Sequence, residues 1–360
     1  MNEQKHSYDD ILIAPQTKQK LNRKGKRFVT EDGQHIYPII FHVPVLLPST
    51  EAAVWHRELV ELILWEHPDE IEKIYANEKA WRKDPNALYC QTIRRVIGGK
   101  AEIQKAVDCY AVADTGMWLP KKTQKTRISF SSKVDFLKYT SAKNGKRRMQ
   151  TALQSIHKDA YSYYGSLISD FHPKSILELS TGAGAGTSLA ASAMPDDARL
   201  FTTDIDFACL GNAVGIANFH RKAVIPVCAN FWYLPFRNRS FDLVCTMNGL
   251  DESREIQRTL SQVKNVLKPG GFFLVFSRKN AYMRQRRILS EFGFTEAETL
   301  ELLHKCRMYS SAEHLVELCA SNGLEVKSQK EFICESNLTW VVSRFQMVDE
   351  NRMLKPTLGL

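Results

Sequence analysis

Glu178 is followed within one loop by Gly182, Gly184 and Gly186, in the stretch SILELSTGAGAGT from Ser175 to Thr187. An acidic residue closing an apolar run, then closely spaced glycines, suits a nucleotide cradle. Glycine lets a ligand approach the backbone, and a following helix offers N–H groups to it. Asp204 closes a second apolar run, and Asn230 stands beside Phe231 after a third. A carboxylate can accept two ribose hydroxyls, an amide oxygen can accept an exocyclic amine, and an aromatic ring can cover a base. Met247, Asn248, Asp251 and Glu252 follow a fourth run. That is the edge where ligands enter an open sheet.

The elements that position these residues read from the alternation of apolar runs and helical patterns. Strands are expected at 175–179, 199–203, 223–227, 241–246 and 271–276, the last preceded by Lys268-Pro269-Gly270. The pattern SLAASAM after the glycine loop is helical, as is Ser311 to Ser321, which stops at Asn322-Gly323. Strands near 324–331 and 339–344 read as an antiparallel closing pair. Strands alternating with helices predict an α/β fold with a doubly wound, mostly parallel sheet.

Residues 175–280 resemble a class I S-adenosylmethionine-dependent methyltransferase, of the type 11-like kind, with a Rossmann-like seven-stranded sheet. The segments that carry the resemblance are ELSTGAG from Glu178, TTDID from Thr202, ANFWYLPFRNRSFDLV from Ala229 and LKPGGFFLVF from Leu267, in that order. A dinucleotide-binding dehydrogenase is the rival for the glycine loop. It wants G-x-G-x-x-G, whereas this loop alternates Gly182-x-Gly184-x-Gly186. The resemblance implies that Glu178, Ser180, Gly182 and Gly184 line the methionine part of S-adenosylmethionine. It implies ribose on Asp204, adenine against Ile205 and Phe231, its amine on Asn230, and the methyl group near Met247 and Asn248. Two residues depart from the family pattern. Ser180 stands where Gly is usual, and Asn230 stands where Asp is usual. Asp251 is the candidate general base, with Asn248 beside it; His157, His220, His304 and Cys306 are further candidates.

Ahead of this core the chain divides into a small β unit (1–49), a mainly helical region (50–145) and the start of the cofactor domain (146–360). Residues 28–30 read as a strand, 31–34 as a turn and 36–48 as extended, with prolines that only edge strands tolerate. The unit resembles the short zinc ribbon that precedes the catalytic domain in some bacterial methyltransferases. Ala14 and Thr17 stand where its first thiolates would be, and Thr30 and Asp32 fall near the second pair. Zinc sites of that kind need Cys or His, so no structural zinc is expected. Residues 50–118 show helical spacing, 114–125 reads as loop, and 146–169 reads as one helix carrying Tyr161, Tyr163 and Tyr164. Those tyrosines suit core packing or a cover for the cofactor pocket. The β unit and the helical region are expected to cap the substrate.

The chain is 44% hydrophobic and 25% charged, an ordinary globular composition, with no apolar run long enough to span a bilayer. The polar start MNEQKHSYDD lacks a secretory h-region, and the eight cysteines form no C-x-x-C pair, so a cytoplasmic setting without metal is expected. Residues 1–150 hold 26 Lys/Arg against 18 Asp/Glu, an excess of +8, while 151–360 hold 23 against 22, or +1. The expected activity is methyl transfer from S-adenosylmethionine to a small organic acceptor, with no membrane partner. The alternatives are an RNA base methyltransferase that uses the basic N-terminal region, and a repurposed or non-catalytic S-adenosylmethionine-binding protein.

Overall fold

A computed structural model describes residues 10–47, 138–153, 158–205, 207–253, 255–280, 295–305, 309–333 and 339–348. The expected helices of 50–118 and the loop of 114–125 lie outside the described residues.

The chain opens with four short strands, β1 (Leu21–Lys24), β2 (Arg27–Thr30), β3 (Ile36–Ile40) and β4 (Val43–Leu46). Helices α1 (Ala142–Leu153) and α2 (Lys158–Phe171) follow. The alternating core then runs β5 (Ser175–Leu179), α3 (Ala185–Ala193), β6 (Arg199–Asp204), α4 (Phe207–His220), β7 (Val224–Ala229), β8 (Phe241–Met247), α5 (Ile256–Val266) and β9 (Leu267–Arg278). It closes with α6 (Glu296–Lys305), α7 (Ala312–Ser321), β10 (Leu324–Ile333) and β11 (Thr339–Met347). Ser311 caps α7 by accepting the His314 N–H at 3.2 Å.

The sheet order is β1-β2-β3-β4-β7-β6-β5-β8-β9-β11-β10. Its last seven members are the expected doubly wound core. Strands β5 to β9 run parallel, and β11 returns antiparallel between β9 and β10. Both faces are covered, so neighbouring residues on one strand feed opposite layers. Leu177, Phe201, Val244 and Phe273 pack on one face with α5 and α7. Ile176, Leu200, Leu243 and Leu274 pack on the other with α2 and α3.

Three expectations change. The β unit extends the sheet instead of lying over it: β4 pairs parallel with β7, Val45 opposite Cys228 and Leu46 opposite Ala229. Leu12, Phe28, Tyr37 and Leu46 share one core cluster with Leu177 and Val244. The prolines sit inside the sheet and not on its edge. Pro38 pairs with Arg27 just where the β3 ladder passes from β2 to β4, and Pro44 precedes the pairing of β4 with β7. Each proline is thus the last paired residue of its ladder register, where a missing N–H is tolerated. The single helix expected over 146–169 is two, α1 and α2, and the boundary at 145/146 falls inside α1. Gly145 sits at the contact of α1 with α4: a Cβ there would lie 1.8 Å from the Gly215 carbonyl oxygen, so α1 seats directly on the α4 backbone.

Tyr164 is fully buried, donates to the Thr246 carbonyl at 3.3 Å and meets Phe276 edge-on. Tyr163 packs at a tilt against Phe332, with ring centres 5.7 Å apart. These tyrosines pack α2 onto the sheet.

Candidate functional site

Strand β5 delivers Glu178 and Leu179 to the carboxyl edge of the sheet, and the chain then turns through Ser180–Gly184 into α3. The turn needs left-handed backbone: φ is 55° at Ser180, 53° at Gly182 and 90° at Gly184. Glycine takes such angles at no steric cost, whereas Ser180 carries strain. Space dictates the other glycines. A Cβ at Gly184 would lie 2.4 Å from Ile216 Cδ1, and one at Gly186 would lie 2.5 Å from Glu178 Oε1. At Gly182 a Cβ would meet nothing nearer than 3.9 Å, so its outer side is open to a ligand.

Asp204, at the end of β6, turns to this loop. Its Oδ2 accepts the Gly182 N–H at 2.8 Å. The loop is also tied by the Thr181 N–H to the Thr203 carbonyl at 3.1 Å, and by the Thr181 hydroxyl to that of Thr202. Asn212 of α4 donates from Nδ2 to the Gly182 carbonyl at 3.1 Å. The second acidic residue and the glycine loop are thus one unit.

Glu178 lies under the loop. It is 1% exposed, and its Oε2 accepts from Thr187 Oγ1 at 2.6 Å and from Thr181 Oγ1 at 3.4 Å. It braces the loop through these two hydroxyls. Burial pushes its carboxyl up to about 7, with the Asp204 charge adding to the rise; the hydroxyls of Thr187, Thr202 and Thr181 pull the other way.

Asn230 Oδ1 accepts the Trp232 N–H at 2.9 Å and so caps the short 3₁₀ turn Phe231–Tyr233. Trp232 is buried and donates from Nε1 to Ser253 Oγ at 3.2 Å, which fixes the turn to the loop after β8. Phe231 is half-buried against the core beside it, and the Ile205 carbonyl is held by Cys228 Sγ at 3.6 Å.

At the end of β8, Met247 is half-buried and faces Gly186, its Cβ 3.5 Å from where a Gly186 Cβ would be. Asn248 has φ 57°, and its buried Oδ1 has no hydrogen-bond partner among the described residues. The buried hydroxyl of Thr246 has none either. Asp251, the candidate base, lies inside the fold. It is 2% exposed, and its Oδ1 accepts the Tyr309 hydroxyl at 2.5 Å, so it anchors the segment before α7. Burial, then the Asp251 charge, raise the Tyr309 phenol well above its ordinary value. Sequence reasoning missed Tyr309, whose partner lies far away in the chain. It also missed Asn212, whose signal was a polar side chain amid the apolar run FACLGNAVGIANFH.

Of the other candidates, His220 meets Ser188 Oγ at 3.1 Å and packs α4 to α3, its burial lowering its basicity. His157 and Cys306 lie outside the described residues, and His304 falls on α6 with its side chain outside them. No helix among the described residues is long and apolar enough to cross a membrane.

At the opposite edge of the sheet Asp242 gathers the strand starts. Its Oδ2 accepts from the Ser175 N–H at 2.9 Å and the Lys174 N–H at 3.1 Å, and Lys268 reaches Oδ1 at 2.8 Å. Asp242 therefore serves the fold. In the β unit, the positions expected for thiolates hold a hydrogen-bonded clasp. Asp32 accepts from Thr30 Oγ1 at 2.6 Å, from the Gln34 N–H at 3.0 Å and from Gln19 Nε2 at 2.8 Å, which joins the two turns. Those donors, Thr30 first, hold its carboxyl down to about 2.

Comparison with known proteins agrees with this reading of the core. The family described as "Methyltransferase domain" matches residues 177–275. The demethylmenaquinone methyltransferase of Symbiobacterium thermophilum is 31% identical over 121 residues, covering 33% of this chain and 47% of that protein. The ubiquinone/menaquinone biosynthesis C-methyltransferase of Shewanella frigidimarina is 27% identical over 167 residues, covering 42% of this chain and 66% of that protein. The N-methyltransferase NodS of Bradyrhizobium japonicum, solved with S-adenosyl-L-homocysteine, aligns with 15% identity and a TM-score of 0.43 over 58% of this chain and 98% of that one. Residues 177–275, in which the glycine loop is tied to Asp204, match a methyltransferase domain.

Proposed function

We propose that the protein transfers the methyl group of S-adenosylmethionine to a small organic acceptor. The observation that carries this reading is the Gly182 N–H on Asp204 beneath an open loop surface. The chain's groups fit that cofactor: a carboxylate for ribose hydroxyls at Asp204, the Phe231 ring and Ile205 for adenine, and beyond them polar atoms at Asn248 and Thr246 that are unpartnered among the described residues. Bound S-adenosylmethionine supplies an electrophilic methyl on sulfur. The protein's part is to hold and align the two reactants, with the loop of Ser180–Gly184 fixing one side and the end of β8 the other. A positioned acceptor at Asn248 Oδ1 suits a substrate that brings an N–H or O–H donor.

Two of the relatives methylate quinone precursors by name, which favours a ring carbon of a quinol-type acceptor. The RNA reading is the second. It loses ground at the run 143–148, where Arg148 is spent inside the fold: its guanidinium lies 3.2 Å from the Tyr139 ring centre.

Calorimetry with S-adenosylhomocysteine on wild type and Asp204→Ala tests the cofactor claim. Micromolar binding by wild type and at least a tenfold loss in the variant are expected; equal affinity sinks the site assignment. Labelled methyl transfer to demethylated quinols against total RNA tests the acceptor. Incorporation into RNA alone would replace the small-molecule reading.

A further inference from the structure

The glycine loop is held from a direction that neither the family nor the ribose carboxylate explains. Tyr139, just ahead of α1, donates its hydroxyl to Asn212 Oδ1 at 2.7 Å. Asn212 in turn donates from Nδ2 to the Gly182 carbonyl at 3.1 Å, and the Gly182 N–H goes on to Asp204 at 2.8 Å. Both amide atoms of Asn212 are thus used, one for each neighbour, and the amide orientation is fixed by the pair. The two bonds to Gly182 clamp one residue in its left-handed conformation, φ 53°.

The first member of this relay is itself clamped. Arg148 lies flat over the Tyr139 ring at 3.2 Å and donates from Nη1 to the Tyr139 carbonyl at 2.8 Å. Asn218 donates to the Thr140 carbonyl at 2.7 Å. Gly145 lets α1 approach Gly215 to backbone contact, so the segment has one seating on α4. Gly184 touches α4 as well, at Ile216. The loop and the docked segment therefore share α4 as a common floor.

The geometry points to Tyr139 as a positioning residue for the cofactor, acting through Asn212 on Gly182. Seating of 138–153 on α4 and the shape of the loop that receives the methionine part are then one equilibrium. This rests on the reading of the loop as an S-adenosylmethionine site. Tyr139→Phe keeps the ring under Arg148 and removes only the O–H. Asn212→Asp keeps an acceptor for Tyr139 and removes the donor to Gly182.

The test is calorimetric affinity for S-adenosylhomocysteine together with amide hydrogen exchange over 180–186. Tyr139→Phe is expected to weaken binding about five- to tenfold, the worth of one lost buried hydrogen bond. Asn212→Asp should weaken it more, and the double variant no further than Asn212→Asp alone, since the two act in series. Exchange over 180–186 should quicken in both variants while that of β5 and β6 stays unchanged. Wild-type affinity and wild-type exchange in both variants overturn the relay. Additive losses overturn it too, because they mean two separate effects. If wild type itself fails to bind, the cofactor reading falls, and the exchange measurement still decides the relay: unchanged exchange over 180–186 removes it.

Discussion

Glu178 and Ser180 sit two positions apart and embody opposite costs. Glu178 is buried with a carboxyl pushed up to about 7 from an ordinary 4.5. The folded state then holds its proton more tightly than the unfolded chain. Stability is accordingly greatest below about pH 4.5 as far as this group is concerned, and falls as pH rises through the window from about 4.5 to 7. The loss is on the order of 3 kcal/mol. Glu178→Gln should flatten the slope of stability against pH in that window, read by urea denaturation at several pH values; an unchanged slope would assign it to another group. Ser180 stores strain at φ 55°. Ser180→Gly is expected to raise stability by about 1 kcal/mol, measured by thermal unfolding, because glycine relieves the left-handed penalty. A fall in melting temperature would show that the packing of the Ser180 side chain against Gly249 outweighs the strain.

At the scale of elements, the contact of α1 with α4 is set by backbone proximity. Alanine is a better helix former than glycine by about 1 kcal/mol. Gly145→Ala nevertheless should destabilise, by about 1–3 kcal/mol, since its Cβ would fall 1.8 Å from the Gly215 carbonyl oxygen and backbone cannot step aside cheaply. Chemical denaturation reads the sign directly, and a stabilised variant would refute this seating of α1. The helices and strands of the core were legible because each run is apolar, short and closed by a breaker. Even so β9 begins at Leu267, earlier than 271, because Lys268-Pro269-Gly270 is taken into the strand around a bulge. The acidic residue of β6 and the glycines were legible from spacing. The hydrogen-bond partners of Glu178, Asn230 and Asp251 were not. Spacing places a residue at a strand end, but Thr187, Trp232 and Tyr309 decide where its polar atoms turn, and those partners come from other elements.

Over the whole molecule, the strands of residues 21–46 and the core from 175 onward behave as one packing unit, with Phe28 fully buried in the cluster that also contains Leu177 and Phe241. Lys18 fastens the two by donating to the Leu234 carbonyl and to Gln262 Oε1, each at 3.0 Å. Burial, with Arg258 nearby, brings its ammonium down to about 8. Phe28→Ala should cost about 3–5 kcal/mol and shift the unfolding of the core itself. A separate early transition that spares the core signal would mean two independent units. Nothing local in residues 43–46 announces a partner strand, so this union was beyond the reach of the sequence; the apolar pattern told only that the segment is extended.

The pairing of Val45 with Cys228 has a consequence in time. The two residues meet across 183 positions of chain. On a ribosome, β4 emerges long before β7 exists, and closing so long a loop carries an entropic cost that local hairpins avoid. The first four strands must therefore wait, as an open edge, for the rest of the sheet to be made. Joining that edge is a late event in folding.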